Sequence, residues 1–368
     1  MNRHHVVSAL LVFCALPVAA LGQNAGYPTP EEYADEARES ENAPLFQSHE
    51  PLKITLRTDI EWLRNERDDS IEVPGTATFI DLDGSEVTKP VEVRVRGEFR
   101  LDKQNCNFPP LRLNFPRRQM EGTVFEGQNR LKLVTPCNHS REDYQRYVLD
   151  EYLAYRVFNA LTPYGFRVRL VEITYVDIED DYDTRTKFGF LIEDEDRMAE
   201  RNRAIHLEVP GLSPLLADGP QSVVVALFNY MIGNLDWGFA NELHNVKLIR
   251  TEDARYITVP YDFDFAGIVN ARYASVAPQL TEAYGIRRVR QRRYRGFCRA
   301  ELLYERAAEL FGGKRQEISD LYEGFERHTA DAIEDALEYY EDFWKVIDDP
   351  DEFEDEIIDD CRNPETGR

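Results

Sequence analysis

Beyond residue 22 the sequence has no apolar run long enough to cross a bilayer, so no membrane-spanning helix is expected there. Histidine (7), cysteine (5), methionine (4) and tryptophan (3) are all scarce. There is no C-x-x-C pair, and no histidine stands close to two cysteines, which excludes the usual zinc sites. A G-x-S-x-G elbow is also missing, so hydrolase-type nucleophilic catalysis has no support. Positive charge is in short supply: 44 Lys and Arg stand against 68 Asp and Glu, a net charge of −24. Such a chain repels nucleic acid and anionic membranes, so neither is expected as a partner.

What is present suffices for a large core: 368 residues, 42% hydrophobic and 11% aromatic. Residues 1–22 read as a signal peptide, with Arg3, His4 and His5 ahead of an apolar stretch that closes on Ala19-Ala20-Leu21-Gly22. The expected product is exported to the periplasm, the cell surface or the medium. Loss of that segment removes Cys14 and leaves Cys106, Cys137, Cys298 and Cys361, an even set that suits two disulfides in an oxidising compartment. Three pairings are open. Cys106–Cys137 with Cys298–Cys361 is favoured because each pair stays within one half of the chain.

Residues 23–51 are rich in Pro, Glu and Asn with little periodicity, and read as a flexible segment. From Leu52 the pattern alternates, in LKITLRTD, TATFIDL and VEVRVRGEF, with Asp83-Gly84 as a hairpin turn; LRLNF and NRLKLV continue the run of strands. Ser140 to Asp143 reads as a capping box opening a helix through Leu161. Two more strands, VRLVEITYVD and KFGFLIED, precede a helix from Gln221 to Ile232 that ends at Gly233. Residues 300–346 are helical and amphipathic, and 348–368 form an acidic tail. The expected architecture is α+β and two-lobed: an antiparallel β lobe with one long helix over 52–200, and a mainly helical lobe over 201–347 that carries the functional loop.

The most informative stretch is Met231 to Gly267. Asp236 follows a helix-ending glycine, the pair His244-Asn245 runs into an apolar strand, and a second strand ends in Asp262-Phe263-Asp264. Taken singly, Asp236 is a helix cap, Asn245 a turn residue and the two strand-end carboxylates a turn. Taken together, they are oxygen donors at the ends of buried strands, costly without a compensating cation. Phosphoryl transfer of the kinase kind needs these parts in this order: an Asp that accepts the acceptor's proton, then an Asn and an Asp that hold magnesium on the nucleotide phosphates. Asn241 has the D-x4-N spacing from Asp236, whereas Asn245 is anchored by a strand; Asn245 is preferred and Asn241 is the alternative.

These segments resemble the spore-coat protein H (CotH) kinases, an atypical kinase-like family. The likeness lies in GNLDWGFANELHN, in VPYDFDFAG, in the Arg96-Gly97 segment VRVRGEFR, in the helix RYVLDEYLAYRVFNAL and in GFLIEDEDRMAER, and it spans about Leu52 to Asn270. It implies a protein-kinase-like fold, with ATP and Mg2+ as cofactors and Mn2+ as the substitute metal. Asp236 would be the catalytic base, Asn245 and Asp262 metal ligands, and Asp264 a supporting or second-metal carboxylate. Arg96 and Gly97 would cover the phosphates, and Glu151 would pair with a nucleotide-holding cation. The family's Lys-rich strand is replaced here by NFPPLRLNF, which leaves Arg112 and Lys132 as candidates for that cation.

One basic island interrupts the acidic background: seven arginines between Arg287 and Arg299. Arg287, Arg288, Arg290, Arg292, Arg293 and Arg295 are expected either to grip an anionic or protein substrate or to neutralise the chain's own acidic surface. Two functional readings follow. The first is an exported ATP-dependent phosphotransferase acting on a protein or other hydroxyl acceptor. The second is a non-catalytic exported metal- or ligand-binding or surface-assembly protein.

Overall fold

A computed structural model describes residues 27–240 and 242–366. The expected signal peptide, Cys14 and Asn241 lie outside the described residues. Alternating apolar side chains become strands where expected: β1 (Leu52–Thr58), β2 (Val73–Ile80), β3 (Glu86–Val95), β4 (Leu111–Asn114), β5 (Arg130–Val134), β6 (Val168–Asp177) and β7 (Arg185–Ile192). The β2–β3 hairpin turns at Gly84, whose φ of +83° suits a residue without Cβ.

The assembly of these strands departs from expectation. They close into a seven-stranded barrel in the order β1-β2-β3-β4-β5-β7-β6. Closure is made by β1 and β6, which run parallel from Leu52 opposite Val171 to Thr58 opposite Asp177. The sheet is therefore mixed, and neither edge is left open. Leu56, Val93, Leu113, Leu133 and Ile173 fill its interior with no exposed surface.

The remaining elements are helices and a second, smaller sheet. Helix α1 (Pro30–Glu41) is followed by α2 (Ile60–Glu66), α3 (Tyr144–Leu161) and α4 (Glu195–Arg201). A small antiparallel sheet, order β10-β9-β8, is built from β8 (Ala204–Leu207), β9 (Val246–Thr251) and β10 (Tyr256–Pro260). Helices α5 (Gly219–Met231), α6 (Pro278–Tyr284), α7 (Glu301–Glu323), α8 (Ala330–Asp348) and α9 (Pro350–Phe353) complete the chain.

The two-lobed kinase-like arrangement is thus overturned. Helix α3 and the outward side chains of β6 and β7 belong to the same hydrophobic core as α5, the small sheet, α7 and α8. Tyr155 and Phe158 of α3 pack on Phe263 and Phe228, with ring centroids 4.6 Å apart in each pair. A boundary near residue 200 would cut that core in two. The molecule is α+β, with a closed mixed barrel and a separate small sheet embedded among helices.

Local expectations are adjusted in three places. Within the segment read as flexible, Thr29 and Glu32 form a capping box that starts α1. That helix docks on α4 through Ser40 Oγ to Glu200 (2.7 Å) and Arg197 to Glu39 (3.1 Å). The capping box expected at Ser140–Asp143 does not form: α3 starts at Tyr144 with no side-chain cap, because Asp143 pairs with Arg141 and Arg272. The acidic C-terminal segment is docked, with Ile357 buried and Cys361 bonded to Cys298. Cys106–Cys137 is the second disulfide, so both favoured pairings form. No helix among the described residues is long and apolar enough to cross a membrane.

Candidate active-site cleft

Strand alternation determines which residues face outward from the barrel wall. In β3, β4 and β5 the apolar residues Val93, Val95, Leu111, Leu113, Leu131 and Leu133 point inward, so the residues between them point out. Arg94 lies directly opposite Arg112, and Arg112 directly opposite Lys132. Like charges in cross-strand register repel unless an anion lies over them. The Nε atoms of Arg94 and Arg112 are enclosed without a hydrogen-bond partner. Burial, with Arg94 alongside, lowers the Arg112 pKa.

This cationic row forms one wall of a cleft of about 680 Å3. Arg96, Gly97, Phe99 and Arg100 also line it, and Asp236, His244, Asn245, Tyr261, Asp262 and Asp264 form the facing wall. Gly97 has a φ of +92°, a backbone conformation costly for residues with a side chain.

Asp236 is held by a short relay. Gly233 ends α5 with φ +65°, and buried Asn234 donates from Nδ2 to Asn229 Oδ1 (2.8 Å) while accepting the Asp236 N–H (3.0 Å). The Asp236 carboxylate lies 2.8 Å from His244 Nε2, and its other oxygen accepts from Asn245 Nδ2 at 3.1 Å. That same amide also donates to the Asp236 carbonyl (2.8 Å), which leaves Asn245 Oδ1 unengaged.

Asn245 and Asp262 both have left-handed backbones, φ +51° and +63°. Asn245 leads into β9 and Asp262 follows β10, and the strain is held by Tyr261 N–H on Asn245 O (3.0 Å) and Asp262 N–H on Tyr155 Oη (2.8 Å). Phe263, fully buried, anchors the pair of aspartates between Tyr155 and Phe228. Asp264 is buried. Burial and the neighbouring Asp262 push its pKa up to about 7, against the pull of Arg100 and Tyr273. Glu151 beneath it is raised well above the usual carboxylate range by burial, Asp264 and Asp262.

The expected role of Glu151 is therefore corrected. It forms no ion pair with Arg112 or Lys132, and it is buried. Lys132 is paired with Glu195 at 2.6 Å, the two side chains being 11% and 18% exposed. Burial would raise the Glu195 carboxyl, but Lys132 and Lys247 outweigh it and hold it down to about 2. Lys132 itself is lowered by burial, with Arg96 and Lys247 adding to that against Glu195.

The arginine run divides. Arg287 and Arg288 are exposed. Arg290 pairs with Asp335 (3.1 Å), and Arg293 with Asp360 (2.8 Å). Arg292 donates to Met231 O (3.2 Å) and Tyr339 O (2.5 Å) and lies 3.7 Å from the Tyr339 ring centroid. Arg295 donates to Leu235 O and braces the Asp236 loop from behind. None of the six lines the Asp236 cleft; Arg287, Arg288, Arg290 and Arg292 border a separate groove with Asp335 and Asp342. Most of the run serves as scaffold.

Sequence reasoning thus gathered Asp236, Asn245, Asp262, Asp264, Arg96, Gly97, Arg112 and Lys132, and the fold brings them all to one cleft. It missed Arg94, Arg100, Glu195, Lys247 and Tyr273. The signal for Arg94 was readable: V-R-V, L-R-L and L-K-L each put one basic residue on the outward side of a strand. Glu195 was hidden in an acidic turn. Among the described residues no three His, Cys, Asp or Glu side chains form a ready metal cage. The donors available, an amide oxygen and carboxylates, suit a hard cation that keeps water and phosphate oxygens in its shell.

No known protein-family model matches the chain, and no curated protein matches it.

Proposed function

We propose that the cleft is a phosphoryl-transfer site, using ATP and a divalent cation to phosphorylate a hydroxyl on a protein or other acceptor. The observation that carries this reading is the cross-strand row Arg94–Arg112–Lys132 facing the carboxylates of Asp236, Asp262 and Asp264 across one cavity. A polyphosphate would answer the first wall, and a divalent cation held by the second would offset its charge. The reading rests on this cleft and on the motif resemblance to CotH kinases, not on overall fold.

Asn245 Oδ1 and Asp262 would hold magnesium or manganese, with Asp264 in support. The cation, when bound, neutralises and orients the phosphates. Arg112 and Lys132 bind phosphate oxygens, with Lys132 aimed by Glu195, while the Arg96-Gly97 backbone covers them. Asp236, oriented by His244, takes the acceptor hydroxyl's proton as that oxygen bonds to the terminal phosphorus. The bond from phosphorus to the bridging oxygen breaks, and ADP leaves with the electron pair. Export is part of the proposal: two disulfides suit an oxidising compartment outside the cytoplasm.

A second reading has one observation in its favour. Both Asp236 oxygens are already engaged, by His244 and Asn245, as in a purely structural turn. Label transfer from γ-labelled ATP separates the two. Wild type should transfer label in the presence of Mg2+ or Mn2+, Asp236→Asn should retain Mg-ATP thermal stabilisation but lose transfer by at least 100-fold, and Asp262→Asn should lose both. Stabilisation without transfer in wild type would make the protein a nucleotide-binding module. Absence of both would sink the reading.

A further inference from the structure

Lys132 and Lys247 share one counter-charge. Among the described residues Glu195 is the only carboxylate within ion-pair distance of either amine, at 2.6 and 3.5 Å. Both amines also lie over the Tyr261 ring, 5.1 and 5.6 Å from its centroid. The placing of Glu195 therefore decides where Lys132 is held. Glu195 opens α4, and the turn that carries it, Glu193-Asp194-Glu195, follows directly on β7. Asp194 caps the helix by accepting the Asp196 N–H (3.0 Å). Its two neighbours have different partners: Glu195 meets the lysines, whereas Glu193 meets Arg167 and Arg201.

Arg167, directly ahead of β6, fastens that turn. Its Nε donates to Glu193 Oε1 (2.9 Å), its backbone N–H to Glu193 Oε2 (3.0 Å), and its carbonyl accepts the Glu193 N–H (3.0 Å). Its two terminal nitrogens donate to the carbonyls of Ser40 (2.5 Å) and Glu41 (2.9 Å) at the end of α1. Carbonyls in the last turn of a helix lack intrahelical donors and favour a cation, so the guanidinium answers both needs. Helix α4 closes the frame. Arg201 at its far end also donates to Glu193 (3.1 Å), and Arg197 and Glu200 hold α1 through Glu39 and Ser40. The Glu193 side chain has no exposed surface, so water does not replace a lost arginine there. Arg169, 7% exposed, offers a contrast. It donates to the Leu45 (3.3 Å) and Ser48 (2.6 Å) carbonyls just beyond α1, but makes no bond to the Glu193–Glu195 turn.

We propose that Arg167 is a positioning residue for Lys132: it clamps the end of α1 against the Glu193–Glu195 turn and so keeps Glu195 on that lysine. It acts through Glu193 and touches neither nucleotide nor acceptor. The phosphate role of Lys132, and with it this assignment, rests on the phosphoryl-transfer reading. A shift of Glu195 by about 1 Å is enough to misplace the ammonium it aims. The segment before Leu52, which reads as flexible in sequence, thereby becomes part of the frame of the cleft.

Acetylation by acetic anhydride, resolved at Lys132 by mass spectrometry, reports the pairing without any nucleotide. Affinity for a non-hydrolysable ATP analogue with Mg2+ is measured on the same full-length proteins, and Glu195→Gln gives the rate for an unpaired Lys132. Arg167→Met should acetylate Lys132 about threefold faster than wild type or more, and bind the analogue about fivefold more weakly or worse. Arg167→Lys, which keeps the charge but not the fork, should fall between the two. Arg169→Met should lose thermal stability yet change neither readout. If Arg167→Met does not fold, Glu39→Gln with Ser40→Ala loosens α1 from the other side and should raise the rate about twofold. A wild-type rate in folded Arg167→Met, or in the double variant where it stands in, would overturn the assignment. Equal acceleration in Arg167→Met and Arg169→Met would do the same, since that is general loosening, and so would faster acetylation with unchanged analogue affinity. If no variant and no wild type binds the analogue while Lys132 responds as expected, the phosphoryl-transfer reading falls and the coupling of Arg167 to Lys132 stands.

Discussion

Replacing Glu195 with Gln removes the charge that compensates Lys132 while leaving shape almost unchanged. Two routes give the size of the effect. Depression of the Glu195 carboxyl from 4.5 to about 2 corresponds to about 3 kcal/mol at neutral pH. Breaking a buried pair from one side typically costs about 3–5 kcal/mol. The partners do not gain equally, however: Lys132 is itself pulled down by burial, so the pair is worth less than the Glu195 share. Lys247, 3.5 Å from Glu195, also loses its partner, and residual solvent at the cleft edge softens the loss. The expected destabilisation is about 2–3 kcal/mol at pH 7.

The pH dependence follows from the direction of the shift. A carboxyl depressed in the folded state contributes its full stability above the unfolded pKa near 4.5, and loses it as pH falls toward the folded value near 2. The gap between wild type and Glu195→Gln should therefore be full at pH 7 and less than half as large at pH 3. Urea denaturation midpoints at the two pH values measure it. Equal stability of the two proteins at pH 7, or a gap that does not shrink in acid, would refute the argument. Lys132→Met with Glu195→Gln should be less destabilised than Glu195→Gln alone, since the stranded charge is gone.

Arg292→Ala should lower stability by about 2–3 kcal/mol through loss of two carbonyl partners and the stack on Tyr339, whereas Arg287→Ala and Arg288→Ala should each stay within about 0.5 kcal/mol; thermal denaturation compares them. Replacing Cys298 and Cys361 together by serine opens a loop of 63 residues and should cost about 2–5 kcal/mol, read from denaturation. The same change should expose the segment after Asp348 to limited proteolysis. Asp236→Asn should abolish label transfer while leaving the denaturation midpoint within about 1 kcal/mol of wild type, because its hydrogen-bonding neighbours remain.

Much of the local structure was legible because its causes are local. Alternation in LKITLRT or VEVRV allows only one face to be buried, and Asp83-Gly84 turns because Gly84 tolerates a positive φ. The disulfides were legible because an even cysteine set divided naturally between the halves. The site triad was legible for a related reason: Asp236, Asn245 and Asp262 sit beside one another through a single turn and a single hairpin, so chain proximity guarantees spatial proximity.

What escaped prediction depends on partners distant in sequence. Nothing in residues 52–58 announces that they will pair in parallel with residues 171–177, because a strand edge offers the same backbone groups to any partner; that pairing closed the barrel and ruled out two lobes. Helix α3 read as part of the first half, yet its buried Tyr155 and Phe158 also pack against the Asp262–Asp264 segment and α5. Glu195 acquired its lysine only when β5 paired with β7, which sets Lys132 opposite Ile192 just ahead of it. Periodicity and turn chemistry are written into neighbouring residues, whereas charge compensation across a cleft is a property of the folded surface alone.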